Sequence, residues 1–258
     1  MSPARQRRAL TVEQEAYLTV RSLATTLGSG YVIEPHTHPW RQLLYASTGA
    51  MTVNAGRFTW MIPPGKAVLI PAGCEHSIRM WGSVAMRSLY FPAELKSPSL
   101  DITECRVLSV TPLLRELILR VIDLAALDSR VPAHQRLLDL LLDEMDVPSV
   151  TPWMLPLPSD ERAMAIAEHV MASPSNADAL DDLARRFAVG RRTLERLFRD
   201  ETGLSFGLWR QKVRLLESIR ALAEGKSVTD AALDAGYASV SAFIVAFKNT
   251  FGCTPSRL

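Results

Sequence analysis

Apolar and polar positions alternate on a short period over the first third of the chain and on a helical period after it. Between residue 17 and about residue 95, short apolar or alternating segments at 42–46, 58–62, 67–70 and 84–91 are separated by turn signals. These are Thr48-Gly49, Pro63-Pro64-Gly65 and Pro71-Ala72-Gly73. Many short strands at near-regular spacing predict an antiparallel barrel or sandwich. Over 111–146 the period lengthens. Leu113, Leu114, Leu117, Ile118, Val121, Ile122, Leu124 and Ala125 form one apolar stripe, and Leu137, Leu138, Leu140, Leu141, Leu142 and Met145 form another, which predicts two amphipathic helices. Residues 147–158 hold prolines at 148, 152, 156 and 158, a density that forbids a helix and predicts a semi-rigid linker. From 159 to 258 the pattern is helical again, broken at glycines 190, 203, 225, 236 and 252.

The last 80 residues contain a repeat. Leu180, Ala184, Ala188, Val189, Leu194, Phe198 and Gly203 recur as Val228, Ala232, Gly236, Tyr237, Phe243, Phe247 and Gly252, at an offset of 48 up to the turn and 49 after it. Each unit reads as a short helix, a tight turn and a second helix pinned inward by an i,i+4 pair, which is helix-turn-helix construction. Gly236 supplies the positive φ such a turn needs, whereas Ala188 adopts it less cheaply. A plain helical bundle is the alternative. Between the units, residues 205–223 carry Trp209, Val213, Leu216, Ile219, Ala221 and Leu222 on one side, a predicted rod about 28 Å long. Such a rod can hold two recognition helices near one DNA turn apart, about 34 Å.

Charge separates the two readings. The chain has 258 residues, 48% of them hydrophobic and 22% charged, with a net charge of +2. That excludes a polybasic protein but not a local basic face. Residues 183–214 hold nine Lys/Arg against three acids, while 151–258 as a whole is nearly neutral. On the second helix of the first unit, Arg191, Arg192, Glu195, Arg196 and Arg199 lie outside the apolar stripe, a pattern suited to phosphate contacts and bidentate guanine readout. The second unit offers Ser239, Val240, Ser241, Ala242, Val245 and Lys248, a nearly uncharged face able to meet a thymine methyl or a phosphate. Three widely spaced cysteines (Cys74, Cys105, Cys253) without a CxxC pair argue against a disulfide framework. The absence of any apolar run near ~18 residues, and of an apolar core after Arg5, Arg7 and Arg8, predicts a cytoplasmic protein with no membrane span.

From about 160 to 258 the chain resembles the DNA-binding domain of the AraC/XylS family of bacterial transcription regulators. The resemblance rests on Leu183-Ala184-Arg185-Arg186, on 191–198 (RRTLERLF), on Glu201-Thr202-Gly203, on Ala235-Gly236-Tyr237-Ala238-Ser239, and on the closing Phe247-Lys248 with Gly252-Cys253-Thr254-Pro255. It departs from the family at Ala188, where glycine is frequent, and in its weakly polar second recognition helix. The resemblance implies double-stranded promoter DNA as partner, with RNA polymerase as a further partner if the protein activates. It also implies that the helices at 111–146 serve a homodimer, an intrachain packing role being the alternative.

In the N-terminal half, alternation puts His36, His38 and Gln42 on one face, and His76 follows Pro71-Ala72-Gly73 on a later predicted strand. The spacing Gly30, His36, His38, Gln42, Gly49 and the spacing Gly65, Pro71, Gly73, His76 resemble the two cupin motifs. Gln42 stands where metal cupins usually have Glu, and Met80 where Asn is usual. The resemblance implies a small barrel holding these side chains inside. His36, His38, Gln42 and His76 are the candidate ligands for one divalent transition metal (Zn, Fe, Ni or Cu). With Tyr45 they are also the candidate lining of an effector pocket, and Trp40, Tyr45, Trp60, Trp81 and Tyr90 are candidate walls. An organic pocket without metal is the alternative.

The expected fold is thus α+β and multidomain. A cupin-like sensor barrel occupies 1–95, a helical dimerisation segment 96–146, a Pro-rich linker 147–158, and an all-α DNA-binding domain 159–258, with helix-turn-helix motifs at about 180–201 and 228–250. The expected function is transcription regulation in response to a small molecule or metal, with no catalytic residues. A metal-dependent oxygenase or isomerase with an appended DNA-binding module is the alternative. It lacks an acid/base group at the motif, because Glu75 is the only adjacent carboxylate and its parity points it away from His76.

Overall fold

Eleven strands and eight α-helices build the described residues, 17–146, 151–176 and 178–258, of a computed structural model. The strands β1 (Leu18–Leu27), β2 (Val32–His36), β3 (Trp40–Ala46), β4 (Ala50–Ala55), β5 (Phe58–Ile62), β6 (Lys66–Ile70), β7 (His76–Trp81) and β8 (Val84–Pro92) follow the turn signals. They divide into two antiparallel sheets completed by β9 (Arg106–Ser109), β10 (Ala126–Asp128) and β11 (Met154–Pro156). One sheet has the order β10-β1-β8-β3-β6-β9 and the other β11-β5-β4-β7-β2.

The register sets which side chains face inward. Gln42 pairs with Tyr90 and Ile70, and Leu44 with Ser88 and Val68. Met51 pairs with Met80, and Val53 with Ile78 and Trp60. These residues therefore line the space between the sheets. On the outer face of the first sheet, Leu43, Tyr45, Leu69, Leu89, Phe91 and Leu108 form a second core with α1 (Pro112–Leu124) and α2 (Pro132–Met145). Thr111 caps α1 by accepting from the Leu114 amide, with Pro112 at the first helical position, where its missing N–H costs nothing.

Two expected boundaries move. The barrel is not confined to 1–95, because β9 pairs with β6 and β10 with β1. Proline density does not make 147–158 a free spacer either. Residues 147–150 lie outside the described residues, but β11 pairs with β5, with Pro156 at its end opposite Phe58. An edge strand tolerates proline because no second ladder needs its N–H.

The C-terminal half contains α3 (Glu161–Ala172), α4 (Leu180–Arg186), α5 (Arg191–Thr202), α6 (Phe206–Ala223), α7 (Val228–Asp234) and α8 (Val240–Phe251). Ser205, Ser227 and Ser239 cap α6, α7 and α8, and Gly203 and Gly252 close α5 and α8 in the left-handed conformation. The rod between the units is α6, 18 residues or about 27 Å.

This half packs on the outer face of the second sheet. Trp209 donates to the Pro156 carbonyl at 2.8 Å, and the Trp153 ring stacks on Phe251 at 4.5 Å. The Arg220 guanidinium lies over Trp81 at 4.3 Å, and Ser29 meets Glu224 at 2.9 Å. Gly82, at φ +72°, lies so close that a Cβ there would overlap the Ala223 carbonyl oxygen.

Ala188 sits in the first helix-turn-helix turn at φ 52°, the left-handed conformation that Gly236 adopts at φ 76° in the second. An L-residue pays about 1–2 kcal/mol for that conformation; glycine removes the cost, and its extra freedom in the unfolded chain takes back part of the gain. Ala188→Gly is expected to stabilise the protein by about 1 kcal/mol in urea unfolding. A loss of stability would show that the alanine methyl contributes more than its backbone costs.

Candidate nucleic-acid interface and sensor site

The amphipathic pattern of α5 buries Leu194 and Phe198 and leaves Arg191, Arg192, Glu195, Arg196 and Arg199 exposed. They are not equivalent. Arg191 pairs with Asp181 at 3.1 Å and with Glu195 at 3.4 Å, tying α5 to α4. Arg192, Arg196 and Arg199 make no hydrogen bond or ion pair with the described residues and point three full charges outward. The helix begins at Gly190, which has no side chain to cap it, so its first amides are open to an acceptor. The sequence pattern showed the arginines but not which of them is already engaged, since Asp181 approaches only through the turn.

In α8, Phe243 and Phe247 are buried, while Ser241, Ala242, Val245 and Lys248 are exposed. Asn249 is exposed beside Lys248, a position the sequence reading passed over although it lies one turn beyond Val245. Ser239 is spent on its own helix, its hydroxyl accepting from the Ala242 amide at 3.2 Å.

In the barrel, the three histidines converge. Ring centroids are 4.3 Å apart for His36 and His76, 5.1 Å for His38 and His76, and 5.8 Å for His36 and His38. Each offers a ligand nitrogen, and these nitrogens lie within 4.8 Å of one another. His36 ends β2 and His76 begins β7, opposite each other in the second sheet. His38 lies in the turn between β2 and β3, not on a strand, so a crossing between sheets rather than alternation brings it to the group.

Backbone carbonyls orient all three rings. Nδ1 of His36 lies 2.9 Å from the Glu34 oxygen, that of His38 2.8 Å from the Trp40 oxygen, and that of His76 2.9 Å from the Cys74 oxygen. A carbonyl only accepts, so each Nδ1 carries the proton and, in the neutral ring, each Nε2 carries a lone pair. His76 Nε2 is buried without a partner, in a residue 1% exposed. Burial, with the nearby His36 and His38, pushes the His76 pKa down to about 4 against the opposing pull of the Cys74 carbonyl.

Gln42 is held within the group. Its amide lies 3.1 Å from His38 Nε2, 3.0 Å from the Ser88 hydroxyl and 3.2 Å from the Tyr90 hydroxyl. With the amide nitrogen toward a neutral His38, the carbonyl accepts from both hydroxyls and every polar atom is satisfied. Tyr45 does not join this group. It stands three residues from Gln42, on the opposite face of β3, and packs in the core under α1 and α2. Tyr90, edge-on to His38 at 5.6 Å, occupies the place expected of it, and Trp40 lies 6.2 Å from the same ring. Trp60 also faces inward, whereas Trp81 faces outward to Thr52 and Arg220. Ser88, missed from sequence, follows from the register that sets it beside Tyr90 on the inward face of β8.

Comparison with known proteins fits both halves. Residues 183–258 match the model of a helix-turn-helix domain, and residues 24–149 match that of an AraC-like ligand binding domain. The chain is 35% identical over 223 residues to the HTH-type transcriptional regulator NimR of Escherichia coli K12, covering 86% of this chain and 80% of that one. It is 35% identical over 101 residues to the HTH-type transcriptional regulator RipA of Corynebacterium glutamicum, covering 39% of this chain and 30% of that one. Among solved structures, ToxT from Vibrio cholerae bound to an unsaturated fatty acid aligns over 93% of this chain and 94% of its own, at 13% identity and a TM-score of 0.38. The two matched domains, and the similarity to NimR along most of both chains, place this protein in the AraC/XylS family as a DNA-binding transcription regulator with an N-terminal ligand-binding domain.

Proposed function

We propose that the barrel senses a divalent transition metal, or a small molecule held by the same imidazoles, and that its occupancy governs transcription through α5 and α8. The observation that carries this reading is the convergence of three carbonyl-oriented imidazoles with the lone pair of His76 Nε2 buried and unpartnered. Carbonyl-bound Nδ1–H groups are the usual outer support of histidine ligands. His36, His38 and His76 would hold the metal, which would supply an open coordination position for an effector. Gln42 sets the orientation of His38, or reaches the metal through its carbonyl oxygen, and it leaves the site without a carboxylate charge.

Arg192 and Arg196 are assigned to base edges and Arg199 to phosphate, with Arg191 and Glu195 bracing α5. Ser241, Ala242, Val245 and Lys248 face the second groove, with Ser239 holding the start of α8 there as its cap. The helices α1 and α2 present exposed Leu113 and Leu140, which supports a homodimer of this chain as their role. RNA polymerase is the further partner if the outcome is activation. The protein acts in the cytoplasm, where promoter DNA lies; among the described residues no helix is long and apolar enough to cross a membrane. A non-enzymatic role is supported by the naming of its relatives as regulators and by Glu75, exposed and on the opposite face from His76.

Arg192→Ala and Arg196→Ala are each expected to weaken binding to a selected operator by about 1–3 kcal/mol with little change on random DNA. Arg199→Ala is expected to weaken both alike and to lower the salt slope by about 0.9. Equal losses on both DNAs for all three variants would make them phosphate contacts.

Purified protein is expected to carry about one equivalent of metal by elemental analysis. His38→Ala should abolish it while leaving operator binding by the C-terminal half in place, and Gln42→Glu should tighten metal binding by adding a charge. Metal-free protein that still answers its effector would assign the histidines to an organic pocket.

In chelator-treated protein the His76 ring is expected to titrate near pH 4 by NMR. The unfolded chain then takes up a proton between pH 6.5 and 4 that the folded chain does not. Stability is therefore fully present above about pH 6.5 and falls as the pH drops toward 4, by up to roughly 3 kcal/mol from this group. His76→Gln should flatten that dependence; an unchanged slope would place the titrating group elsewhere.

A further inference from the structure

The internal repeat superposes the two recognition helices residue for residue, at an offset of 49 from Leu194 on Phe243 to Gly203 on Gly252. On that scale Ser239 stands where Gly190 does, Ser241 where Arg192 does, Ala242 where Thr193 does, Val245 where Arg196 does and Lys248 where Arg199 does. The exchanges of Arg192 for Ser241 and Arg196 for Val245 remove both charges from the positions assigned to base edges, that of Thr193 for Ala242 removes a hydroxyl beside them, and Lys248 keeps a charge at the position assigned to phosphate. Val245 is 58% exposed on a helix whose other large apolar residues are buried or half-buried. Ala242, one turn before it, is exposed on the same face. The N-termini differ in the same sense. The amides of α5 are without a side-chain cap at Gly190, whereas in α8 the Ala242 amide is taken by the Ser239 hydroxyl.

We propose that α8 reads the C5-methyl groups of thymines through Val245 and Ala242, anchored by Lys248 on phosphate, while α5 reads guanine, so that the operator consists of two chemically unlike blocks. Thymine is the one base that presents a methyl group in the major groove, and an apolar side chain without a donor or acceptor gains by covering it. An apolar surface facing guanine or cytosine would instead strip water from polar edges and return no hydrogen bond. The first block therefore carries most of the salt-dependent affinity, and the second contributes selectivity with little salt dependence beyond its single lysine. The inference rests on the assignment of α5 and α8 to successive major grooves.

The test begins with the full chain and duplexes randomised over about three helical turns, ~30 base pairs. Selection should enrich a guanine-containing block and a thymine-containing block about ten base pairs apart. On the enriched duplex, replacing thymines of the second block by deoxyuridine removes only their methyl groups. Wild-type affinity should fall about fourfold for each methyl that was covered. Val245→Ser should bind the thymine duplex more weakly and be indifferent to deoxyuridine. Val245→Arg, put through the same selection, should exchange thymine for guanine in that block and steepen the salt dependence. Unchanged affinity on deoxyuridine, or the same sensitivity in Val245→Ser, overturns the thymine assignment while leaving DNA recognition by α5 standing. Failure of the wild-type chain to enrich any sequence overturns the underlying assignment of both helices to the grooves.

Discussion

The first sheet of the barrel is apolar on both faces, and the second carries Met61, Trp81 and Leu155 on an otherwise polar outer face; the need to bury these surfaces organises the rest of the chain. An antiparallel sheet can leave one face wet when that face is polar. Here Leu43, Tyr45, Leu69, Leu89 and Phe91 on one sheet would present a continuous apolar surface without α1 and α2. On the other sheet, Met61 and Leu155 meet Met171, Val213 and Leu216 of the DNA-binding half. The sensor is thus a middle layer, covered on one side by the helical pair and on the other by the part that binds DNA.

That arrangement joins the histidine cluster to the DNA-binding half through one strand. His76 begins β7 inside the barrel, and Trp81 ends it outside, against Arg220 of α6. Six residues of strand span about 20 Å. The helix that carries Arg220 is the same rod that lies between the two helix-turn-helix units. A neighbouring contact, Gly82 beside the Ala223 carbonyl, requires a residue without a side chain and so sets how closely barrel and rod approach.

The two helix-turn-helix units share a scaffold and differ in surface. Their cores are built alike, with Leu194 and Phe198 in one and Phe243 and Phe247 in the other buried at corresponding places. Packing restrains those positions, because a core tolerates little change in volume. The outward positions are free of that restraint, which lets one helix carry unpaired arginines and the other a valine.

Periodicity by itself determined the helices and the repeat, since amphipathic spacing, caps and glycine stops are local signals. The helical period also singled out the exposed arginines of α5, whereas His36, His38, Gln42 and His76 stood out through the resemblance of their spacing to the cupin motifs. Periodicity located four of the eleven strands as bounded elements; β4 is buried on both faces and β1 and β2 are mostly half-buried or exposed, so these three carry no clean alternation, while β7, which does alternate, was entered only through His76. Only tertiary structure decided that 151–158 is stapled to the barrel, a matter of which edge strand lies open. It also decided that Tyr45 belongs to the outer core while Tyr90 and Ser88 join the histidines. Facing within one strand follows from parity, but proximity between strands requires the register, and hydrogen bonds among residues distant in sequence set that register.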